Sequence, residues 1–359
     1  MEVSVSRPLL LALALLTPGS LAAALPSPLP AVADHPVVQD NYPERRTSFS
    51  NGAIGLPDLV YAQPAGFRPL TLDVYLPPAG TRSPAGGFPL VLHVHGGGWV
   101  GGHSRHAGAI ADFPGVLATL AAKGYIVASL NYRLSGEAPF PAAEKDVKTA
   151  IRWLRARAER YRMDPARAVV WGGSAGGHLA GLAAVSCKAE ALDPIAPVAK
   201  GAIDGEGRPA PPDPLAPLAG ISDCVQGAVT WYGVFDFASI ADQSRQTGSM
   251  GGAPRPFLGC RPEGDCGAQI RVASPVTYVD RTDPPFLIIA GKSDRTVPYL
   301  QSVEMAERLK AAGVPADLIL IPDVDHSFIG KTPEATRAAT LQALSSTFDF
   351  IDRTVGLHP

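Results

Sequence analysis

The sequence predicts an α/β fold: one mostly parallel central sheet flanked by helices. Three observations predict it. Short apolar runs alternate with helical segments from about residue 58 onward, the pattern of strands joined by crossover helices. Two of those runs, Phe88–Val94 and Gly124–Leu130, are nearly continuous in apolar residues, as strands covered on both faces must be. Finally, 46% of the 359 residues are hydrophobic, enough for one large core in a single α/β unit.

The elements follow in order. Leu59–Ala62 and Leu70–Leu76 are the first strands, the second ended by Pro77-Pro78. After the Phe88–Val94 strand, Phe113–Lys123 forms a helix that stops at Gly124, a natural C-cap. Ala142–Tyr161 is the clearest helix, because Val147, Ala150, Ile151, Leu154 and Ala158 recur at three- and four-residue steps. Glu144 and Asp146 sit near its start, where the helix dipole favours anions. Ala166–Trp171 is a strand that runs into a glycine-rich turn and a helix from His178. Residues 188–220, dominated by Ala and Pro, read as a surface excursion without its own core. Val225–Trp231 resumes as a strand, and 241–280 reads as a second irregular stretch. Phe286–Ala290 and Leu318–Ile321 are strands, with a helix over Tyr299–Ala312 between them and a closing helix over Pro333–Arg353.

The N-terminus reads as an export signal over residues 1–24. Arg7 precedes the apolar run Leu9–Leu16, Pro18-Gly19 breaks it, and Ala22-Ala23-Ala24 offers small residues for cleavage. The run is too short to span a bilayer as a helix, so no membrane span is expected once the signal is removed, and the protein is expected outside the cell or in the periplasm. Residues 25–57 read as an N-terminal arm, and 58–359 as the main α/β domain with insertions near 188–224 and 241–280. Export makes disulfides plausible. The four cysteines allow three pairings, of which Cys187–Cys224 and Cys260–Cys266 is the most parsimonious. No Cys or His spacing matches a zinc site, and no metal or cofactor is expected. The net charge is −2, with 31 basic and 33 acidic residues intermixed. That excludes the clustered basic excess of a nucleic-acid binder and leaves a small soluble substrate or a neutral polymer.

Chemistry concentrates in three places. Gly172-Gly173-Ser174-Ala175-Gly176 matches G-x-S-x-G between a strand and a helix, the context in which a serine is lifted out of a tight turn as a nucleophile. His95-Gly96-Gly97-Gly98-Trp99 follows the Phe88–Val94 strand, and its glycines leave backbone N–H groups free to face a developing oxyanion. The acid and base should follow the serine in the order acid, histidine. Asp294 lies just beyond the Phe286–Ala290 strand and His326 just beyond Leu318–Ile321, giving Ser174, Asp294 and His326 as the catalytic residues. Asp325 is the chief rival acid, but neighbouring side chains on an extended loop point apart. Asp283 precedes its strand and Asp236 follows an earlier one. His93, His95 and His103 come before the serine and are assigned to structure or loop. Trp99, Tyr132, Tyr232 and Phe328 lie beside these motifs and are the candidate substrate-binding residues, Trp99 foremost; core packing is the equal alternative for each.

The chain resembles α/β-hydrolase esterases of the hormone-sensitive-lipase-like branch, and most of all bacterial feruloyl and acetyl-xylan esterases of the bifunctional type. The matching stretches are Leu72 to Pro77, His95 to Trp99, Asn131 to Ser135, Trp171 to His178, Trp231 to Gly233, Ala273 to Val276 and Gly291 to Pro298. The resemblance implies the α/β-hydrolase fold and oxyanion donors at Gly97, Gly98 and Ala175. It also implies a small-molecule or polysaccharide-linked ester as substrate. Gly173 stands where lipase-branch members carry aspartate, and Gly291 to Arg295 replaces their D-P-L-x-D stretch; both departures favour the feruloyl/acetyl-xylan-like group. Other readings are an aryl-formamidase, a polyester or lipid ester hydrolase, and, from another class, a non-catalytic binding relative of the fold.

Overall fold

The computed structural model describes residues 44–64, 66–195, 215–252, 254–261 and 263–356. The expected export signal, residues 25–43 of the arm and residues 196–214 of the first insertion lie outside the described residues. Nine strands form one sheet: β1 (Thr47–Ser48), β2 (Ile54–Ala62), β3 (Leu70–Leu76), β4 (Phe88–Val94), β5 (Ile126–Leu130), β6 (Met163–Gly173), β7 (Gly227–Trp231), β8 (Phe286–Gly291) and β9 (Ala316–Ile321). Their spatial order is β1-β2-β3-β5-β4-β6-β7-β8-β9. The first three pairings are antiparallel and the rest, from β5 to β9, are parallel. Parallel pairing brings the carboxyl ends of β4, β6, β8 and β9 to one edge, where ligands bind in sheets of this kind.

Alternation along the central strands builds two cores. Leu90, Leu92 and Val94 of β4 and Val170 of β6 point to one face, beneath the helices Ala142–Arg155 and Ala175–Val185. Val91 of β4, Trp171 of β6, Val229 of β7 and Ile289 of β8 point to the other, beneath Phe113–Ala122 and Pro333–Val355. Both faces are covered, which is why these strands read as unbroken apolar runs.

The structure departs from the sequence reading in four places, each with a local cause. Strand β2 begins at Ile54, inside the expected arm, and crosses an irregularity between Leu56 and Leu59. Pro57 has no N–H to give the ladder, and Asp58 takes a left-handed φ of 58° with its N–H on Asp73, as at a bulge. The expected Ala142–Tyr161 helix is two, Ala142–Arg155 and Ala158–Tyr161. Arg157 leaves helical conformation between them and lays its guanidinium over the Trp153 ring, 3.9 Å from its centre. The stretch 241–280 is not irregular: it holds helices Ile240–Thr247, Arg255–Leu258 and Gly267–Ala273. Within 188–220, Leu192 and Leu218 are buried on the core, so the described ends of this excursion are packed down.

Two disulfides join Cys187 to Cys224 and Cys260 to Cys266, with Cα separations of 4.9 and 5.7 Å, inside the normal range. Among the described residues, no helix is long and apolar enough to cross a membrane.

Candidate active site

Strand β6 ends at Gly173 and a helix begins at Ala175, leaving Ser174 alone at the corner with φ 56° and ψ −122°. That conformation is strained for a residue with a side chain. It is held by the Ser174 N–H on the Trp231 carbonyl (2.9 Å) and by the fit of the glycines around it. A Cβ on Gly176 would stand 2.0 Å from the Val94 carbonyl oxygen, and one on Gly172 would stand 2.2 Å from that of Gly176. Only glycine permits a turn this tight.

Ser174 Oγ lies 2.9 Å from His326 Nε2, and His326 Nδ1 lies 2.8 Å from Asp294 Oδ2. The Asp294 carboxylate is wholly buried; its other oxygen accepts the N–H groups of Thr296 and Val297, both at 2.8 Å. The carboxylate is thus fixed by three donors, one of them the imidazole. The rival acids are occupied elsewhere. Asp325 accepts the N–H groups of His326 and Arg295 and pairs with the Arg295 guanidinium. Asp236 caps the Ala238 N–H. Asp283 accepts the Asp280 N–H ahead of β8, and burial pushes its carboxyl up to about 6.

The glycine loop after β4 leans on this corner. A Cβ on Gly96 would stand 3.4 Å from that of Ser174 and 2.8 Å from the Gly173 carbonyl oxygen. Gly97 and Gly98 have φ of 117° and 60°, and the Gly97 carbonyl accepts the Val100 and Gly101 N–H groups. Ala175 is the first residue of its helix, so its N–H has no intrahelical acceptor. Gly97 and Gly98 line a cavity of about 520 Å³ together with Ser174, His326, Tyr232 and His93.

Of the four candidate aromatics, only Tyr232 lines this cavity; its ring centre is 4.7 Å from that of His326. Trp99 is not a wall. Its φ of 59° turns the indole away, to stack on Phe257 of the second insertion at 4.4 Å. Tyr132 is fully buried, stacked on His95 with its hydroxyl donating to the His95 carbonyl. Phe328 is buried against Trp231 and Tyr232. Sequence reasoning missed Trp231, Thr296 and Ile329, and the segment from His106 to Ala109, all of which face the cavity. The anchoring of that segment explains two of the matching stretches. Ser104 donates its N–H to Asn131 and its hydroxyl to Asp73, and Arg105 holds Asp73 through two nitrogens.

His178 ties the glycine loop to the serine's helix. Trp99 Nε1–H donates to His178 Nδ1 (3.2 Å), so Nε2 carries the proton and donates to the Ala273 carbonyl (2.7 Å). Burial pushes its pKa down to about 4, which keeps the ring neutral.

The BD-FAE family profile matches residues 72–309, a span that contains the glycine loop, the serine corner and Asp294. The chain belongs to the BD-FAE family. Among curated proteins this family member is similar to esterase LipQ of Mycobacterium tuberculosis, 29% identical over 73% of this chain and 55% of LipQ. It is also similar to esterase LipC of the same organism, 31% identical over 67% of this chain and 53% of LipC. The chain thus spans about half the length of these curated relatives. Among solved structures, a truncated carbohydrate esterase from gut microbiota superposes with a TM-score of 0.64 at 25% identity, covering 86% of this chain and 99% of that one. A bifunctional GH43-CE protein of Bacteroides eggerthii gives 0.63 at 26%, covering 86% of this chain and 36% of that one. The fold is the α/β-hydrolase fold.

Proposed function

We propose that this chain is an exported serine carboxylic-ester hydrolase working through an acyl-enzyme, with acetyl, short-chain or hydroxycinnamoyl esters of plant polysaccharide as its substrate class. The observation that carries the reading is the continuous hydrogen-bond chain Ser174–His326–Asp294 at the carboxyl edge of the sheet. Ser174 Oγ attacks the ester carbonyl while His326 Nε2 takes its proton; Asp294 holds the imidazole in the tautomer that can accept it and stabilises the imidazolium. The Gly97, Gly98 and Ala175 amides receive the negative oxygen. His326 then protonates the leaving alcohol. Water enters, gives its proton to the same nitrogen, and releases the acid. Side chains and amides supply every group this chemistry uses.

The polysaccharide substrate is supported by likeness to proteins described as carbohydrate esterases. Export is supported by the two disulfides, which persist in oxidising compartments, and by the N-terminal apolar run. Hydrolysis of p-nitrophenyl acetate, methyl ferulate and acetylated xylan by wild type beside Ser174→Ala tests the proposal. Wild-type turnover that vanishes in the variant is the expected result. A wild type inert on all three, or an active Ser174→Ala, sinks it.

A further inference from the structure

His93 does not behave as the structural histidine its place in an apolar strand implies. It lies on β4 and is 2% exposed, yet it lines the same cavity as Ser174. Its Nδ1 stands 3.0 Å from Ser129 Oγ. The Ser129 hydroxyl has one proton, and that proton goes to the Ser104 carbonyl at 2.7 Å. Ser129 Oγ can therefore only accept from His93, which places the imidazole proton on Nδ1. Burial pushes the His93 pKa down to about 3, so no second proton is present at neutral pH. Nε2 is left with a bare lone pair. Among the described residues Nε2 has no hydrogen-bond partner, and His93 is one of the residues that line the cavity.

The sheet register gives its depth. His93 pairs with Trp171 and Val94 with Gly172. His93 therefore stands level with a point three residues before Ser174, roughly 10 Å down the strand direction at about 3.3 Å per residue. Trp231, Tyr232 and the segment Ala107 to Ala109 line the same cavity as His93 and Ser174.

We propose that His93 determines specificity: its Nε2 accepts a hydrogen bond from a hydroxyl at the far end of the acyl group held in this cavity. This rests on the serine-esterase reading above. The acyl group is the part that stays bonded to Ser174 while the alcohol leaves past His326, so it is the part an enclosed acceptor can read. The spacing selects acyl groups that carry the hydroxyl well away from the carbonyl, across a flat aromatic spacer. An acyl group of the same shape without a donor leaves the acceptor buried and unpaired, which costs binding in the transition state.

The test compares kcat/KM for methyl 4-hydroxycinnamate with those for methyl cinnamate and methyl 4-methoxycinnamate. The wild type should favour the hydroxylated ester over both by roughly 3- to 10-fold, the worth of one net hydrogen bond. His93→Phe, which keeps a ring but offers no acceptor, should bring that ratio to about one or below. His93→Gln, whose amide oxygen can accept, should keep part of it. A purely structural His93 would lower all three esters in parallel and leave the ratio untouched. A wild-type ratio of one overturns the proposal without any variant, and so does an unchanged ratio in a folded His93→Phe. Wild-type turnover of p-nitrophenyl acetate separates this failure from failure of the esterase reading itself.

Discussion

Replacing Asp294 with Asn tests the catalytic assignment at its most buried member. The carboxylate has two oxygens with different duties: one accepts the Thr296 and Val297 N–H groups, the other the His326 Nδ1–H. Asparagine has one acceptor and one donor, and the two fixed backbone donors decide which way it turns. Its oxygen must face Thr296 and Val297, so its NH₂ faces Nδ1. Nδ1 can then only accept, and the imidazole proton moves to Nε2, where it points at Ser174 Oγ. The base is lost although every heavy atom stays in place. A wrong tautomer of this kind costs roughly 10⁴-fold in kcat, or about 5.4 kcal/mol of barrier at about 1.36 kcal/mol per tenfold. Steady-state hydrolysis of p-nitrophenyl acetate measures it, with urea unfolding to show that the fold survives. Asp325→Asn is the control, because that carboxylate serves only the backbone and Arg295. An Asp294→Asn variant that keeps a tenth or more of wild-type kcat, or an Asp325→Asn variant that falls as far, rules out Asp294 as the triad acid.

Two further predictions concern stability. Cys187–Cys224 closes a loop of sequence separation 37 and Cys260–Cys266 one of 6. Serine pairs at the first bridge should therefore cost about 1.6 kcal/mol more than at the second, in the chain-entropy account; denaturant unfolding of the two double variants measures the difference, and equal losses would count against that account here. Glu144 is fully buried, neither carboxyl oxygen has a hydrogen-bond partner, and burial pushes its pKa up to about 8. A carboxyl raised on folding contributes stability that is full below its unfolded pKa and is lost as pH rises through about 8. Glu144→Gln should remove that decline, so thermal melts at pH 5 and 9 should converge relative to wild type; an unchanged pH dependence would show that Glu144 is ionised at neutral pH.

The strands and the grouping of Ser174, His326 and Asp294 were legible for one reason: both depend on local pattern and chain order. An unbroken apolar run such as Phe88–Val94 admits few structures, and a parallel sheet puts whatever follows each strand at the same edge. That is how Ser174, Asp294 and His326, far apart in the chain, can be grouped from the sequence. Direction is what the sequence hides. Trp99 sits beside the glycine loop, but a positive φ sends its indole to the opposite side, toward a Phe257 that only the fold brings there. The helices within 241–280 are short and lie among Gly and Pro, so tertiary packing decides them rather than propensity. The proton position on His93 depends on Ser129, which is 36 residues away, and no reading of the apolar run would reveal it.

The His178 link sets a rule for anyone reshaping this protein. One imidazole receives from the loop that carries Gly97 and Gly98 and gives to the Ala273 carbonyl at the end of the second insertion. The insertion is therefore a brace for the glycine loop and the serine's helix as well as surface decoration. The short cystine loop between Cys260 and Cys266 is tied into that brace, because Arg255, two residues before Phe257, donates to the Arg261 and Gly264 carbonyls, so any new sequence grafted there must leave Arg255 its partners. A graft that carried Phe257 or Ala273 away with it would loosen the glycine loop from a distance, and under the proposed mechanism would register as lost turnover with Ser174, His326 and Asp294 all still present.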